Sequence, residues 1–139
     1  MNMSRREMGL LFPALAAAQA AAPDGVQPSL AFRFEDLPVK GSGNVSRQVL
    51  AGETHSKYYI DMHETELPAG QAPHAPHRHE HEELLMIREG QMEVTISGKV
   101  TQVGPGGGAY VASNELHGWR NVGPATAHYF VLAFGRETR

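Results

Sequence analysis

Hydrophobic and polar residues alternate over much of the chain beyond Gly52. In residues 58–67, Tyr58, Ile60 and Met62 share one face, while Tyr59, Asp61, His63 and Thr65 share the other, the period-two pattern of a strand. Two further runs, residues 82–89 and 91–97, are punctuated by Gly90 and by Gly98-Lys99. In the second, Met92, Val94 and Ile96 alternate with Gln91, Glu93 and Thr95, as a half-buried strand requires. Residues 100–103, 110–112, 116–122 and 126–134 complete the series, with Gly104-Pro105-Gly106-Gly107-Gly108 as the most marked turn. Upstream, residues 30–34 read as a strand and residues 39–44 as a loop. Short strands between glycine turns, with no long helical period after residue 24, predict an all-β sandwich or barrel. It forms one domain over residues 23–139.

Two runs are apolar on both faces, Leu84-Leu85-Met86-Ile87 and Tyr129-Phe130-Val131-Leu132-Ala133-Phe134. A strand covering a single core would alternate, so something covers the outer face as well. The N-terminal segment or a second subunit can do this, which makes a homodimer the default expectation.

Composition narrows the function. At 139 residues, 41% hydrophobic and 19% charged, the chain suits one core and is too short for a catalytic domain plus a recognition domain. A net charge of −3 without a basic patch argues against nucleic acid as a partner, and no residues remain for a helix-turn-helix. Cysteine is absent, which excludes disulfides, thiolate nucleophiles and cysteine-ligated metal sites. Histidine is the unusual entry: there are eight, and four fall between His74 and His81.

The amino end carries Ser4-Arg5-Arg6, an uncharged stretch from Met8 to Pro23, and small residues before Pro23. This layout resembles a twin-arginine export signal over residues 1–22, cleaved after Ala20 or Ala22. A periplasmic or exported location follows from that reading. The alternative is an ordered N-terminal arm on a cytoplasmic protein, since alanine, leucine and glutamine favour helix. A membrane anchor is disfavoured, because residues 8–22 are interrupted by Pro13 and fall short of the ~20 that a span needs.

The segment from Gly70 to Gly90 reads GQAPHAPHRHEHEELLMIREG. His77 and His79 are two apart, so in a strand they point to one face with Cα atoms roughly 7 Å apart, close enough to converge on one ion. Glu83 in a straight strand would lie ~13 Å beyond His79. The chain must turn between them for Glu83 to join. His117 is the other notable histidine, ahead of Trp119, Arg120 and Asn121. Three imidazoles and a carboxylate suit iron, manganese, nickel, cobalt, copper or zinc alike. Adventitious surface binding is the competing reading of a histidine-rich loop. His74 and His81 are read as bystanders beside the site, Glu80 and Glu82 as solvated, and His55 and His128 as strand or loop residues.

These residues resemble the cupin superfamily. The span from His77 to Gly90 is similar to its first motif, with Gly70 one residue upstream of the usual leading glycine, and only the frame His77, His79, Glu83 works. The span from Gly106 to Asn121 is similar to the second motif, with His117 at the ligand position. Ala112 stands where a proline is usual and Asn114 where a glycine is usual. The resemblance covers roughly residues 45–135 and implies a double-stranded β-helix, or jelly-roll, barrel. It implies one divalent transition metal per chain, held by His77, His79, Glu83 and His117.

Four protein ligands on a six-coordinate ion leave two positions open. By parity, Leu85 and Ile87 share a face with Glu83, and Trp119 shares one with His117, so they are candidate pocket walls. Tyr59 and His63 are candidate polar wall groups. The reading is a metal-dependent enzyme acting on a small organic molecule, with dioxygenase-type chemistry leading and an isomerase or decarboxylase as variants. The alternative is a module that binds a small ligand or metal without turnover. No general base stands out beside the ligands.

Overall fold

The structure is a computed structural model that describes residues 25–136. The leader or arm expected over residues 1–22 lies outside the described residues. Among the described residues, nine strands run in the order β1 Val39–Lys40, β2 Val45–Glu53, β3 Tyr59–Leu67, β4 Glu82–Glu89, β5 Met92–Ile96, β6 Lys99–Val103, β7 Gly108–Val111, β8 His117–Asn121 and β9 Ala127–Gly135. They form two sheets. One has six strands in the order β1-β2-β3-β9-β4-β7, and the other has three in the order β6-β5-β8. All neighbouring strands pair antiparallel. The fold is the all-β jelly-roll barrel expected, and no helix among the described residues is long and apolar enough to cross a membrane.

The alternation read in the sequence sets what lies between the sheets. Leu67, Leu85, Ile87, Met92, Val94, Trp119, Ala127, Tyr129 and Val131 form one buried cluster. Burying a side chain of this kind stabilises the fold by about 1.5–3 kcal/mol. Burial pushes the Tyr129 phenol above its usual pKa. Asn121 is fully buried at the end of β8. Its amide donates to Leu67 O (2.9 Å) and Ala125 O (2.8 Å), while its Oδ1 accepts from Gly123 N (3.0 Å), tying the end of β3 to the loop between β8 and β9.

Two expectations upstream of residue 55 are corrected. Residues 30–34 do not form a strand; a 3-10 turn covers Phe34–Asp36, closed by Leu37 N to Phe34 O at 3.3 Å. The aromatic rings here dock on the outside of the large sheet. Phe32 meets Phe130 with ring centroids 6.4 Å apart, and the Phe34 ring lies between the guanidinium carbons of Arg47 (4.5 Å) and Arg88 (4.4 Å). Residues 39–44 were expected as loop throughout, yet Val39 and Lys40 pair with Arg47 and Ser46. The long strand β2 has no clean alternation because a bulge between Gln48 and Leu50 shifts its register against β3.

This segment covers part of the outer face, as the two-faced apolar runs required. Leu84, Met86 and Tyr110 stay exposed on the same side. The turn before β5 depends on Gly90. Its φ is +96°, and a Cβ there would lie 2.7 Å from the Ala127 Cβ and 2.9 Å from its Cα. Gly90→Ala is therefore expected to cost about 2 kcal/mol or more, combining left-handed strain with the clash. Urea denaturation read by tryptophan fluorescence checks this. A loss below about 0.5 kcal/mol would contradict the tight approach of β4–β5 to β9.

Candidate metal centre

His77 lies before β4, outside any named strand, and forms an isolated antiparallel bridge with His117 at the start of β8. Each residue's amide donates to the other's carbonyl at 3.0 Å, which fixes the two imidazoles on adjacent backbones. His79 follows two residues later, and its carbonyl accepts from Asn114 N at 2.8 Å. Asn114 has φ +63°, so it supplies the left-handed conformation for which a glycine was expected. Asparagine tolerates that region better than most residues. Arg78 reaches across to Asn114 O at 2.8 Å and fastens the same loop. The chain then turns at residues 80–81, and Glu83 enters on the large sheet. The expected turn between His79 and Glu83 is what brings the carboxylate from one sheet to imidazoles on the other.

The donor atoms converge. The ring nitrogens of His77, His79 and His117 lie within 4.8 Å of one another. His79 Nε2 is 3.3 Å from Glu83 Oε1, and His117 Nε2 is 3.3 Å from Glu83 Oε2. Two ligands each ~2.1 Å from a shared ion are about 3.0 Å apart in octahedral and about 3.4 Å apart in tetrahedral geometry. The spacing fits a shared cation. His77 Nε2, His79 Nε2, Glu83 Oε2 and His117 Nε2 are all buried without a hydrogen-bond partner. Native proteins rarely leave one such atom unsatisfied, let alone four that face one point. Behind them, His79 Nδ1 faces His81 O and His117 Nδ1 faces Glu115 O, both at 2.8 Å. Donation to those carbonyls leaves each Nε2 lone pair aimed at the centre, the orientation metal ligands need.

The neighbouring histidines are closer than bystanders in a loop. The His74 ring stacks on His77 with centroids 4.1 Å apart, and His81 stacks on His79 at 3.6 Å. His81 Nε2 also approaches Glu83 Oε1 at 3.4 Å. Beside His81 lies a pocket of about 280 Å³ lined by Glu80, His81, Ser113, Asn114 and Arg136. Leu85, Ile87 and Trp119, expected from parity as pocket walls, are buried with exposures of 1%, 3% and 6%, and the Trp119 ring packs beside His117 (centroids 6.0 Å) and His74 (5.9 Å). Tyr59 and His63 do lie on the inward face of β3, in line with Asp61, Thr65 and Leu67. Glu82 accepts from the Tyr110 hydroxyl at 2.6 Å, which raises the phenol pKa.

A second group of ionisable residues occupies the opposite face of the large sheet. Glu64 is fully buried, with Oε1 3.0 Å from His128 Nδ1 and Oε2 3.1 Å from Arg47, which also binds Glu66. Sequence reading missed this network, whose members are up to 81 residues apart, from Arg47 to His128. The guanidinium already stands between the two carboxylates as their cation, which distinguishes it from the unpaired donors of the metal centre.

Electrostatics favours the neutral ring at His77 and at His81. Burial, then the charges of His74, His117 and His79, push the His77 imidazole below its ordinary pKa. Burial, then His79, does the same to His81, against a smaller opposing effect of Glu83. The unfolded chain therefore binds more protons than the folded chain through the ordinary histidine range, so stability falls as pH falls toward and below about 6.5. Metal-free protein should lose Tm steadily from about pH 7.5 to 5.5, and a His77→Gln/His81→Gln variant should show a shallower decline. Calorimetry across that range checks it; equal slopes would contradict the assignment.

Three kinds of comparison bear on identity. The cupin domain model matches residues 49–133. No curated protein matches the chain. Among solved structures, an RmlC-like cupin from Shewanella frigidimarina superposes with a TM-score of 0.65 at 18% identity, covering 80% of this chain and 96% of that one. A predicted oxalate decarboxylase from Thermotoga maritima gives 0.65 at 17% identity, covering 75% and 97%. The polyketide cyclase RemF from Streptomyces resistomycificus gives 0.59 at 20% identity, covering 79% and 81%. At such identities the structures speak for the fold, and the domain match, which spans more than half of the chain, speaks for the family. With the two-sheet barrel and the convergent histidines already in place, the chain belongs to the cupin family.

Proposed function

We propose that His77, His79, Glu83 and His117 hold one divalent transition metal and that the protein is a metal-dependent enzyme acting on a small organic molecule. The observation that carries this reading is the set of four buried, unpartnered donor atoms facing one point. A bound ion supplies Lewis acidity and open positions at which a substrate and dioxygen or water can meet. The chain's own residues hold the donors, shield them behind the core cluster and leave the pocket beside His81 for entry. A purely structural ion would normally have its coordination shell closed by protein. Four side chains leave a six-coordinate ion open, which favours turnover over a stabilising role.

Oxygen chemistry of the dioxygenase type is the leading reaction class, because a mixed nitrogen and oxygen ligand set suits a redox-active ion. The similar folds include proteins named as a decarboxylase and a cyclase, so a decarboxylation, isomerisation or cyclisation on the same centre is the competing class.

Protein purified without a histidine tag is expected to carry about one transition metal per chain by mass spectrometry of its elements. A His77→Ala/His117→Ala variant is expected to lose it while keeping its strand signal in far-ultraviolet dichroism. Native protein without stoichiometric metal would sink the reading. Oxygen uptake over a panel of phenols, diketones, sugars and oxalate, with iron or manganese restored, then separates the reaction classes from passive binding.

A further inference from the structure

The six-stranded sheet carries rows of inward-facing residues, and the row containing Glu83 is informative. Across the paired strands it runs Ala51, Asp61, Ala133, Glu83 and Val111. Asp61 thus faces the same interior as Glu83, two strands away, with only the methyl of Ala133 between them. At ~4.8 Å per strand their Cα atoms are about 10 Å apart, room for a small ligand between the two side chains. One pair deeper, His63 stands in the row with Val131 and Leu85. His63 Nδ1 is 3.7 Å from Asp61 Oδ1. The ring's Nε2 edge is therefore turned away from Asp61.

The carboxylate is held. Gln48 Nε2 donates to Asp61 Oδ1 at 3.0 Å and is itself anchored on Leu50 O (2.8 Å) and Met62 O (3.0 Å). These contacts occur where the bulge interrupts β2, a device that re-aims side chains beside sites. His63 and Asp61 retain 36% and 37% exposure, although Leu67 and Val131 on the same inner surface are closed off. A ligand can reach them. The Glu64 network behind the sheet contrasts with this, since its carboxylate is sealed.

We infer that Asp61 and His63 are the acid–base pair of the site, acting on a ligand seated between β3 and the His77/His79/Glu83/His117 cluster. The inference rests on the metal-centre reading above. In the step, an O–H of the ligand breaks and its proton passes to His63, while the electron pair stays on the ligand oxygen. Asp61, 3.7 Å from Nδ1, balances the imidazolium that forms, which makes the histidine a more effective base. No oxidant is consumed and the proton returns in the reverse step. A substrate carrying an ionisable hydroxyl, a phenol or enol, fits this chemistry, whereas an anionic end directed at Asp61 does not. The His63 interaction, then Gln48, holds the Asp61 carboxyl below the usual range, so it stays charged at neutral pH. The ionisable groups facing the pair are Tyr59 on its own strand, Glu83 on β4 and His81 in the preceding loop; β2 and β9 present Gln48, Ala51, Val131 and Ala133.

The test uses the full chain loaded with Co²⁺, whose visible bands report ionisation of a water at the open position. Wild type is expected to bind about one cobalt and show a band titration between about pH 5 and 9. His63→Gln is expected to bind cobalt equally and to raise the midpoint by about one unit. Asp61→Asn is expected to change the tautomer of the His63 ring, read from its ¹⁵N chemical shifts. Unchanged cobalt binding with an unmoved midpoint, or no band titration at all, overturns the acid–base role and leaves the metal centre standing. An unchanged His63 tautomer in Asp61→Asn removes Asp61 from the pair. Wild type that binds no cobalt overturns both readings.

Discussion

Four polar atoms aimed at one point without partners are the constraint on which this barrel turns. Leaving a buried donor or acceptor unsatisfied costs about 1–3 kcal/mol, and the chain does so repeatedly in one place. Much of the nearby backbone serves to hold that arrangement. The reciprocal amide bonds between His77 and His117 join a loop to the small sheet, and Asn114 pins His79 through its carbonyl. Glu83 arrives from the other sheet. The site therefore exists only when both sheets are packed, and the core of Leu85, Ile87, Met92 and Trp119 beneath it supplies the stability that the unpaired donors subtract.

The two faces of the large sheet solve opposite problems with similar residues. On the outer face, Glu64 is as buried as any core residue, yet Arg47 and His128 satisfy it completely. Phe34, stacked against Arg47, limits water there. On the inner face, Glu83 and the histidines are left for something else to complete. The same side-chain chemistry thus yields a closed internal ion pair on one side and a receptive centre on the other.

Much of the architecture was legible in the sequence because residues 58–67 and 91–97 alternate with a period of two and glycine turns separate the short runs that follow. The spacing of His77, His79 and Glu83 was enough to demand a turn before the carboxylate. The rest was hidden for identifiable reasons. The bulge at Gln48 destroyed the alternation of β2, so its nine residues carried no strand signal in the sequence. Phe32 and Phe34 read as strand residues because an apolar pair in a short run does not reveal that it packs on the outside of a distant sheet. Parity placed Leu85, Ile87 and Trp119 on the correct face but carried no information on depth, and they belong to the core. Asp61 lay on the face recognised for Tyr59 and His63, but its relation to Glu83 exists only through pairing across β9.

That pairing gives Ala133 a weight out of proportion to its size. It is the one side chain standing between Asp61 and Glu83 on the inner surface of the sheet. A methyl there keeps a floor that is low and flat. Strand spacing sets the separation of Asp61 and Glu83, and the side chain at 133 sets how much of the space between them is filled. A branched residue at this position would fill part of the space between Asp61 and Glu83. Under the proposed reading, position 133 sets how bulky a molecule the site admits.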